Sequence, residues 1–434
     1  MTETADVIII GTGVIGTATA FEIAKTGKSV LMIDRNAQVG HGSTAGSCAI
    51  IRMHYSTFDG TAFAWEGYHY WRDWADYLGV SGEPLAEFRE VGCLVMKTDA
   101  NGQLVKHMEN SAALNCPFEE WDNARIMDRL PIYNLDGYAP AKRLDDPAFG
   151  TTNGRKMNGA VFWPHAGYVN DPALSSQNLA AAAAKHGART KMNATVTEIL
   201  TEGGKTKGVA LADGTEVHAP VVVNVAGPGS SIINAMAGVT DEMTISTRPL
   251  RQEVVHVPSP PGFNFEDQGT IVSDSDIALY CRPEHGNHIL IGSEDPECDP
   301  HHWTDDDQNY DRNFTDQWTT QAQRYAQRVP SLGIPSNMRG VVDLYDASTD
   351  WIPIYDKSSL PGFYMACGTS GNQYKNAPIA GKLMAALVDY CEGGVDHDTD
   401  PMSFELPYIG RTITAGFYSR KRAINDESSF SVLG

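Results

Sequence analysis

The first residues with a chemical signature are Gly11-Thr12-Gly13-Val14-Ile15-Gly16, with Asp34 following Gly16 by 18 residues. Gly11 permits a tight turn out of a strand, Gly13 lets a pyrophosphate approach the backbone, and Gly16 lets the following helix pack close to the sheet. The amides at the start of that helix, around Val14 and Ile15, then meet the phosphates together with the positive end of the helix. A carboxylate at Asp34 accepts ribose hydroxyls and repels a 2′-phosphate, which disfavours NADP. A GxGxxG alone is a weak signal. With strand, helix and acid in register it reads as a site for the ADP half of a dinucleotide, with FAD and NAD both open.

A second glycine-rich loop lies near the other end of the chain. Residues 368–375 read Gly368-Thr369-Ser370-Gly371-Asn372-Gln373-Tyr374-Lys375 between an apolar strand and a helix. Such a loop sets donors and a helix dipole beside a ligand. A reduced flavin carries negative charge at its N1–C2=O edge, and a helix start aimed there would stabilise it. A plain strand–helix turn is the competing account of this loop in isolation. The two loops together favour FAD.

The elements that must position these loops follow from apolar periodicity. Val7–Ile10 reads as a buried strand, 17–25 as a helix closed by Gly27, and 29–33 as a second strand, parallel to the first through a right-handed crossover. The runs 221–227 and 362–368 read as further strands of the same sheet, with a helix over 376–390. Stretches 248–257, 270–282 and 288–293 read as an antiparallel sheet of another domain. Helices are expected over the alanine run at 180–184, over the aromatic-rich 61–78 and over 314–328. The tail 396–434 carries no legible motif; its mixed apolar and basic residues would cover the substrate domain or a partner subunit.

Composition bounds the function classes. A chain of 434 residues exceeds one ordinary core, so two domains are expected. The net charge of −21 argues against nucleic acid and anionic membranes as partners. Seven scattered cysteines without a CxxC fit reduced thiols. No basic leader opens the sequence, and no apolar run approaches the about 20 residues of a membrane span. A cytoplasmic protein is expected. His301-His302 sits in an acidic loop without further ligands at fixed spacing, so no metal site is expected.

The chain resembles the D-amino-acid oxidase superfamily, in particular its sarcosine oxidase-like and glycine oxidase-like members, over roughly residues 1–395. The resemblance rests on GTGVIG with Asp34, on STAGSCAIIRMHY at 43–55, on AGPGS at 226–230 and on GTSGNQYK at 368–375. It implies an α/β fold: a Rossmann-type, glutathione-reductase-like FAD-binding domain with an inserted antiparallel-sheet α+β substrate domain. The expected division is 1–85, 155–240 and 338–395 for FAD, 86–154 and 241–337 for substrate, and 396–434 as a tail.

The resemblance also implies roles. Arg52 matches an arginine that binds substrate carboxylate, and Lys375 a second carboxylate partner. Tyr345 matches a tyrosine lining the substrate pocket, although a buried structural tyrosine is the competing account. The backbone at Val196 would read the adenine ring. Arg35, Ser43, Thr44, Ser47, Ala226 and Gly227 join the glycine loops as expected cofactor contacts. His54, two residues after Arg52, is a candidate base or a structural histidine.

Three departures bear on the chemistry. The position of the flavin-linking cysteine of monomeric sarcosine oxidases is Asp343, and His41 is out of register with the flavin-linking histidine of other relatives, so FAD is expected to bind non-covalently. The lysine that promotes reaction with oxygen is Leu290, which leaves O2 and another electron acceptor both open. An arginine beside the substrate arginine is Ala49. The expected reaction is oxidation of the C–N bond of an amino acid or N-alkyl amino acid by hydride transfer to flavin, followed by imine hydrolysis. Oxidation of a 2-hydroxy acid and an FAD-bearing subunit of a multi-component complex are the alternatives.

Overall fold

Four largely apolar runs set the central sheet. In the computed structural model, which describes residues 3–80 and 84–433, strands Val7–Ile10, Val30–Ile33, Val221–Asn224 and Phe363–Cys367 are buried at every position. A parallel sheet covered on both faces demands this. The order across it is Arg189–Lys191, Val30–Ile33, Val7–Ile10, Val221–Asn224, Phe363–Cys367, Ile354–Lys357. All are parallel except Ile354–Lys357, which runs antiparallel at one edge.

The two faces receive different covers. Val7 and Ile9 pack with helices Val14–Ala24, Pro172–Lys185 and Ala377–Glu392, whereas Ile8 and Ile10 pack with Val196, Ile199 and Val209. The latter belong to a smaller sheet of Glu3–Thr4, Glu216–His218, Lys205–Leu211 and Val196–Glu202. Helices Val14–Ala24 and Ala377–Glu392 touch at Gly381, where a side chain would fall 2.6 Å from the Ala18 carbonyl. That closeness fixes the two glycine loops, which open these helices, relative to each other.

The second large sheet contains nine of the described strands. In order it runs His302–Trp303, Thr247–Pro258, His288–Ser293, Leu279–Glu284, Ile271–Asp274, Cys93–Met96, Ala160–Trp163 and Glu119–Trp121, with Gly340–Ser348 also paired to Thr247–Pro258. The helix Asp316–Arg328 closes a core on this sheet through Trp318, Ala322 and Tyr325. The fold is thus mixed α/β with separate parallel and mainly antiparallel sheets.

Several segments differ from the sequence expectation. Ala160–Trp163 and Gly340–Ser348, which fall in stretches expected with the cofactor domain, pair into the nine-stranded sheet because their ladder partners are Cys93–Met96 and Thr247–Pro258. The expected helix 61–78 is two helices, Phe58–Arg72 and Trp74–Leu78, broken where Asp73 leaves helical geometry at φ −105°, ψ 42°. The tail is ordered: Ser403–Leu406 and Arg411–Thr414 form a hairpin whose turn amides at Tyr408 and Ile409 donate to Glu66. No helix among the described residues is long and apolar enough to cross a membrane.

Candidate functional site

A cleft of about 580 Å³ opens at the carboxyl ends of the parallel strands and is walled on its other side by the nine-stranded sheet. Crevices of this size at this edge of an α/β sheet are where ligands bind. Its walls bring together residues from 10 to 433.

One end is built on the first glycine loop. Gly11 has φ +112°, and a side chain there would lie 2.3 Å from the Val225 carbonyl oxygen; at Gly16 it would lie 2.2 Å from that of Gly11. Both positions exclude a Cβ. Gly13 starts the helix with no side chain to cap it, and no acid stands in the first turn, so the positive end is kept for an anion. The Val14 amide, expected to be free, donates to Thr44 Oγ1 at 3.0 Å. Asp34 accepts from the Thr12 amide at 2.8 Å, from Thr12 Oγ1 at 2.7 Å and from the Asn36 amide at 2.8 Å. Its carboxylate therefore shapes the loop as well as facing the cleft. Val196, Ala226 and Gly227 line this end, as do Ser43, Thr44 and Ser47 farther along.

Arg35 is tied to Asp307 in an ion pair that reaches from the parallel sheet to the loop before helix Asp316–Arg328. Tyr310 of that loop donates to Asp343 at 3.4 Å, and Ser43 donates to the same carboxylate at 3.4 Å. Burial raises the Asp343 carboxyl above its ordinary range. The loop thus spans the cleft from the other unit.

At the opposite end Arg52, Lys375 and Tyr345 converge. Lys375 Nζ donates to Tyr55 Oη at 2.9 Å and to the Asn372 carbonyl at 2.6 Å. Burial, then the Arg52 charge, pushes its pKa well below the ordinary lysine value. Arg52 donates to the carbonyls of His54, Val432 and Leu433, the second at 3.0 Å. Both cations are buried, and among the described residues no carboxylate pairs with either. Tyr345 Oη lies 3.5 Å from Tyr280 Oη, which donates to Cys48 Sγ at 3.7 Å.

The second glycine loop is rigidly held. Gly368, Ser370 and Gly371 take φ of +68°, +48° and +69°. Asp346 accepts from the Gly368 amide at 2.6 Å, and its burial lifts the carboxyl to about 7. Trp71 donates to the Lys375 carbonyl at 2.7 Å and stacks on Tyr374 at 5.3 Å. Gly371, Asn372, Gln373, Tyr374 and Lys375 face the cleft, whereas Gly368 and Ser370 shape the turn behind it. Asn372 Nδ2 is buried and unpartnered among the described residues. A donor left over in the cleft wall, with two glycine positions that exclude a Cβ and a helix start whose N-cap is a glycine with no acid in the first turn, fits a bound dinucleotide.

Like Gly368 and Ser370, His54 is a sequence candidate that lies off the cleft wall. Its ring is not on the cleft wall; it packs on Trp163 at 4.3 Å and His107 at 5.4 Å, and burial holds it neutral, with a pKa well below normal. Its contribution to the site is the carbonyl that holds Arg52. His41 is an exposed loop residue. Sequence reasoning missed Asp307, Tyr310, Tyr280, Cys48, Val432 and Leu433. Cys48 lay inside the 43–55 segment and was within reach; the others come from segments remote in sequence with no motif of their own.

Comparison with known proteins bears on this cleft. Residues 6–387 match the DAO family, described as FAD dependent oxidoreductase. FAD-dependent oxidoreductase domain-containing protein 1 of Mus musculus is 24% identical over 452 residues, covering 95% of this chain and 86% of that protein. Sarcosine oxidase subunit beta of Arthrobacter sp is 23% identical over 400 residues, covering 88% and 86%. The crystal structure of L-proline dehydrogenase from P.horikoshii has the same fold, with TM-score 0.75 at 20% identity over 97% of this chain and 98% of that one. The match over residues 6–387, across both glycine loops, means that this chain belongs to the DAO family of FAD dependent oxidoreductases, with FAD as its cofactor.

Proposed function

We propose that the chain oxidises the C–N bond of an amino acid or N-alkyl amino acid, the substrate carboxylate being held by Arg52 and Lys375. The observation that carries this reading is the buried Arg52 guanidinium with the Lys375 amine at the same end of the cleft, and among the described residues no carboxylate pairs with either. Buried charge is expensive to leave unpaired, so such a site favours an anion. The names of relatives and of structural neighbours, which include sarcosine oxidase subunit beta, glycine oxidase and L-proline dehydrogenase, are consistent with an amino-acid substrate.

The parallel-sheet unit serves as the Rossmann-type, glutathione-reductase-like cofactor domain in this reading, and the nine-stranded sheet as the substrate domain. Gly11, Gly13, Val14, Ile15 and Gly16 with Asp34 and Val196 hold the adenine half, and residues 371–375 hold the other half, without a covalent link. Bound FAD supplies a two-electron acceptor. Arg52 presents a planar fork suited to bidentate carboxylate recognition, and Lys375 adds a point charge. Tyr345, whose ring lies against Gly371, and Tyr280 beside it line the wall next to the second glycine loop. Fixing the carboxylate orients the C–N bond, and orientation supplies much of the rate. The residues do not have to supply a nucleophile, since the imine product hydrolyses in water.

The test is anaerobic flavin bleaching of the FAD-loaded protein by a panel of amino acids and N-methyl amino acids, beside a panel of 2-hydroxy acids. Bleaching by the nitrogen compounds alone is the expected result. Bleaching by hydroxy acids alone moves the reading to C–OH oxidation, for which the same cation pair would serve. Re-oxidation in air then separates an oxidase from a dehydrogenase.

A further inference from the structure

Two of the three carbonyls that hold Arg52 come from the far end of the chain. Segment 423–433 leaves the body at a firm root. Arg420 is fully buried and bonds Asp356 at 2.9 Å, with Glu242 and Asp398 also at 2.9 Å. Arg422 bonds both oxygens of Asp350, at 2.9 and 2.7 Å. Beyond this root the segment has neither helix nor strand, and Ile424 and Phe430 are exposed. Many of its hydrogen bonds are local, such as Phe430 N to Ser428 Oγ at 3.2 Å and Leu433 N to Ser431 Oγ at 3.2 Å. It meets the body at the exposed Lys106–Glu427 pair, 3.4 Å apart, is buried at Ser428, and then reaches the cleft. There Val432 is buried with Cys48, Leu250, Val254 and Tyr280, and the carbonyls of Val432 and Leu433 both accept from Arg52 Nη2.

We propose that segment 423–433 is a displaceable lid, whose Val432 and Leu433 carbonyls occupy Arg52 in place of the substrate carboxylate. This rests on the reading of Arg52 as a carboxylate binder. The carbonyls give the buried guanidinium neutral partners while the site is empty, so it is not left bare. A carboxylate can take the same donors in bidentate fashion and also neutralises the buried charge, which carbonyls do not, so it displaces them. Binding and lid release are one exchange. Because the closed lid is not competent to bind, the apparent affinity is reduced by the fraction of molecules that are open. Val432 and Leu433 therefore tune which carboxylates bind tightly enough to enter.

The test uses FAD-loaded protein and acetate as the probe, read by flavin absorbance. A chain ending at Arg422 keeps the root but lacks the lid. A full-length Glu427→Ala/Val432→Gly variant removes the buried anchor and the ion pair, and so loosens the lid without shortening the chain or adding a charge near Arg52. Both are expected to bind acetate about ten-fold more tightly than the native chain, and saturating acetate is expected to speed limited proteolysis within 423–433 of the native chain. Unchanged or weaker acetate binding in both variants, or protection of the segment by acetate, overturns the lid. Arg52→Gln separates the two ideas. If it abolishes acetate binding while lid removal changes nothing, the carboxylate site stands and the lid falls. If Arg52→Gln binds acetate as the native chain does, the carboxylate site itself is wrong.

Discussion

Lys375 Nζ and the Arg52 guanidinium lie 5.1 and 4.5 Å from the centre of the same ring, that of Tyr55. The ring screens neither charge fully, and Arg52 is the second cause, after burial, of the depressed Lys375 pKa. An anion arriving between them restores the charged form. Acetate binding should therefore take up a proton in the pH window between the depressed and the ordinary lysine pKa, and affinity should fall as pH rises through that window. Calorimetry in two buffers of different ionisation enthalpy measures the uptake. Lys375→Met should bind acetate at least about ten-fold more weakly and without uptake. Equal heats in both buffers for the native chain would count against this assignment.

Arg52 is expected to matter through its shape as well as its charge. Arg52→Lys keeps a cation but loses the planar fork. We expect KM for a carboxylate-bearing substrate to rise about ten-fold or more, with a smaller fall in kcat. An amine substrate without a carboxylate should show no such rise in KM. Steady-state kinetics on a matched pair of substrates, with and without the carboxylate, checks this.

Gly371 and Gly27 separate backbone strain from displacement of the site. Both have positive φ, +69° and +90°. A side chain at Gly27 meets nothing within 4 Å, whereas at Gly371 it would lie 2.5 Å from the Tyr345 ring. Each alanine substitution carries about 1–2 kcal/mol of left-handed strain. Gly27→Ala should lower Tm with turnover unchanged. Gly371→Ala should also displace Tyr345 and cut kcat/KM, read on protein reconstituted to the same flavin content.

The cofactor end was legible because its constraints are local. The turn at Gly11, the helix start at Gly13 and the acid at Asp34 lie within one βαβ unit, and backbone geometry dictates each residue type. The end proposed for substrate was legible only at Arg52, Lys375 and Tyr345. Tyr280 and Asp307 reach the cleft through the long pairing of the nine-stranded sheet and the loop beside it, which no local pattern encodes. His54 was misplaced because the strand ends at Ile51, so the two-residue alternation that would put Arg52 and His54 on one face does not hold beyond it. The tail was unreadable for a different reason: its root is held by ion pairs to Asp350 and Asp356, and charge pairs between segments leave no periodicity.

Asp346 makes a prediction about stability. Its carboxyl, raised to about 7 by burial, accepts from the Gly368 amide at 2.6 Å and so anchors the second glycine loop. In the unfolded chain it titrates near the ordinary aspartate value of about 4. Between these values the folded state holds a proton that the unfolded state has lost, so this group makes stability fall as pH rises from about 4 to 7, and adds no further change above that. Glu294, raised to about 7, and Asp295, raised to about 6, act in the same direction, so the native profile alone does not isolate Asp346. Asp346→Asn removes the titration and keeps a carbonyl oxygen to accept from Gly368. The difference in Tm between Asp346→Asn and the native chain should therefore shift in favour of the variant between pH 5 and pH 8, by the equivalent of a few kcal/mol. Melting curves of the FAD-loaded proteins at the two pH values measure it. A difference in Tm that stays constant with pH would mean that Asp346 remains ionised in the folded protein.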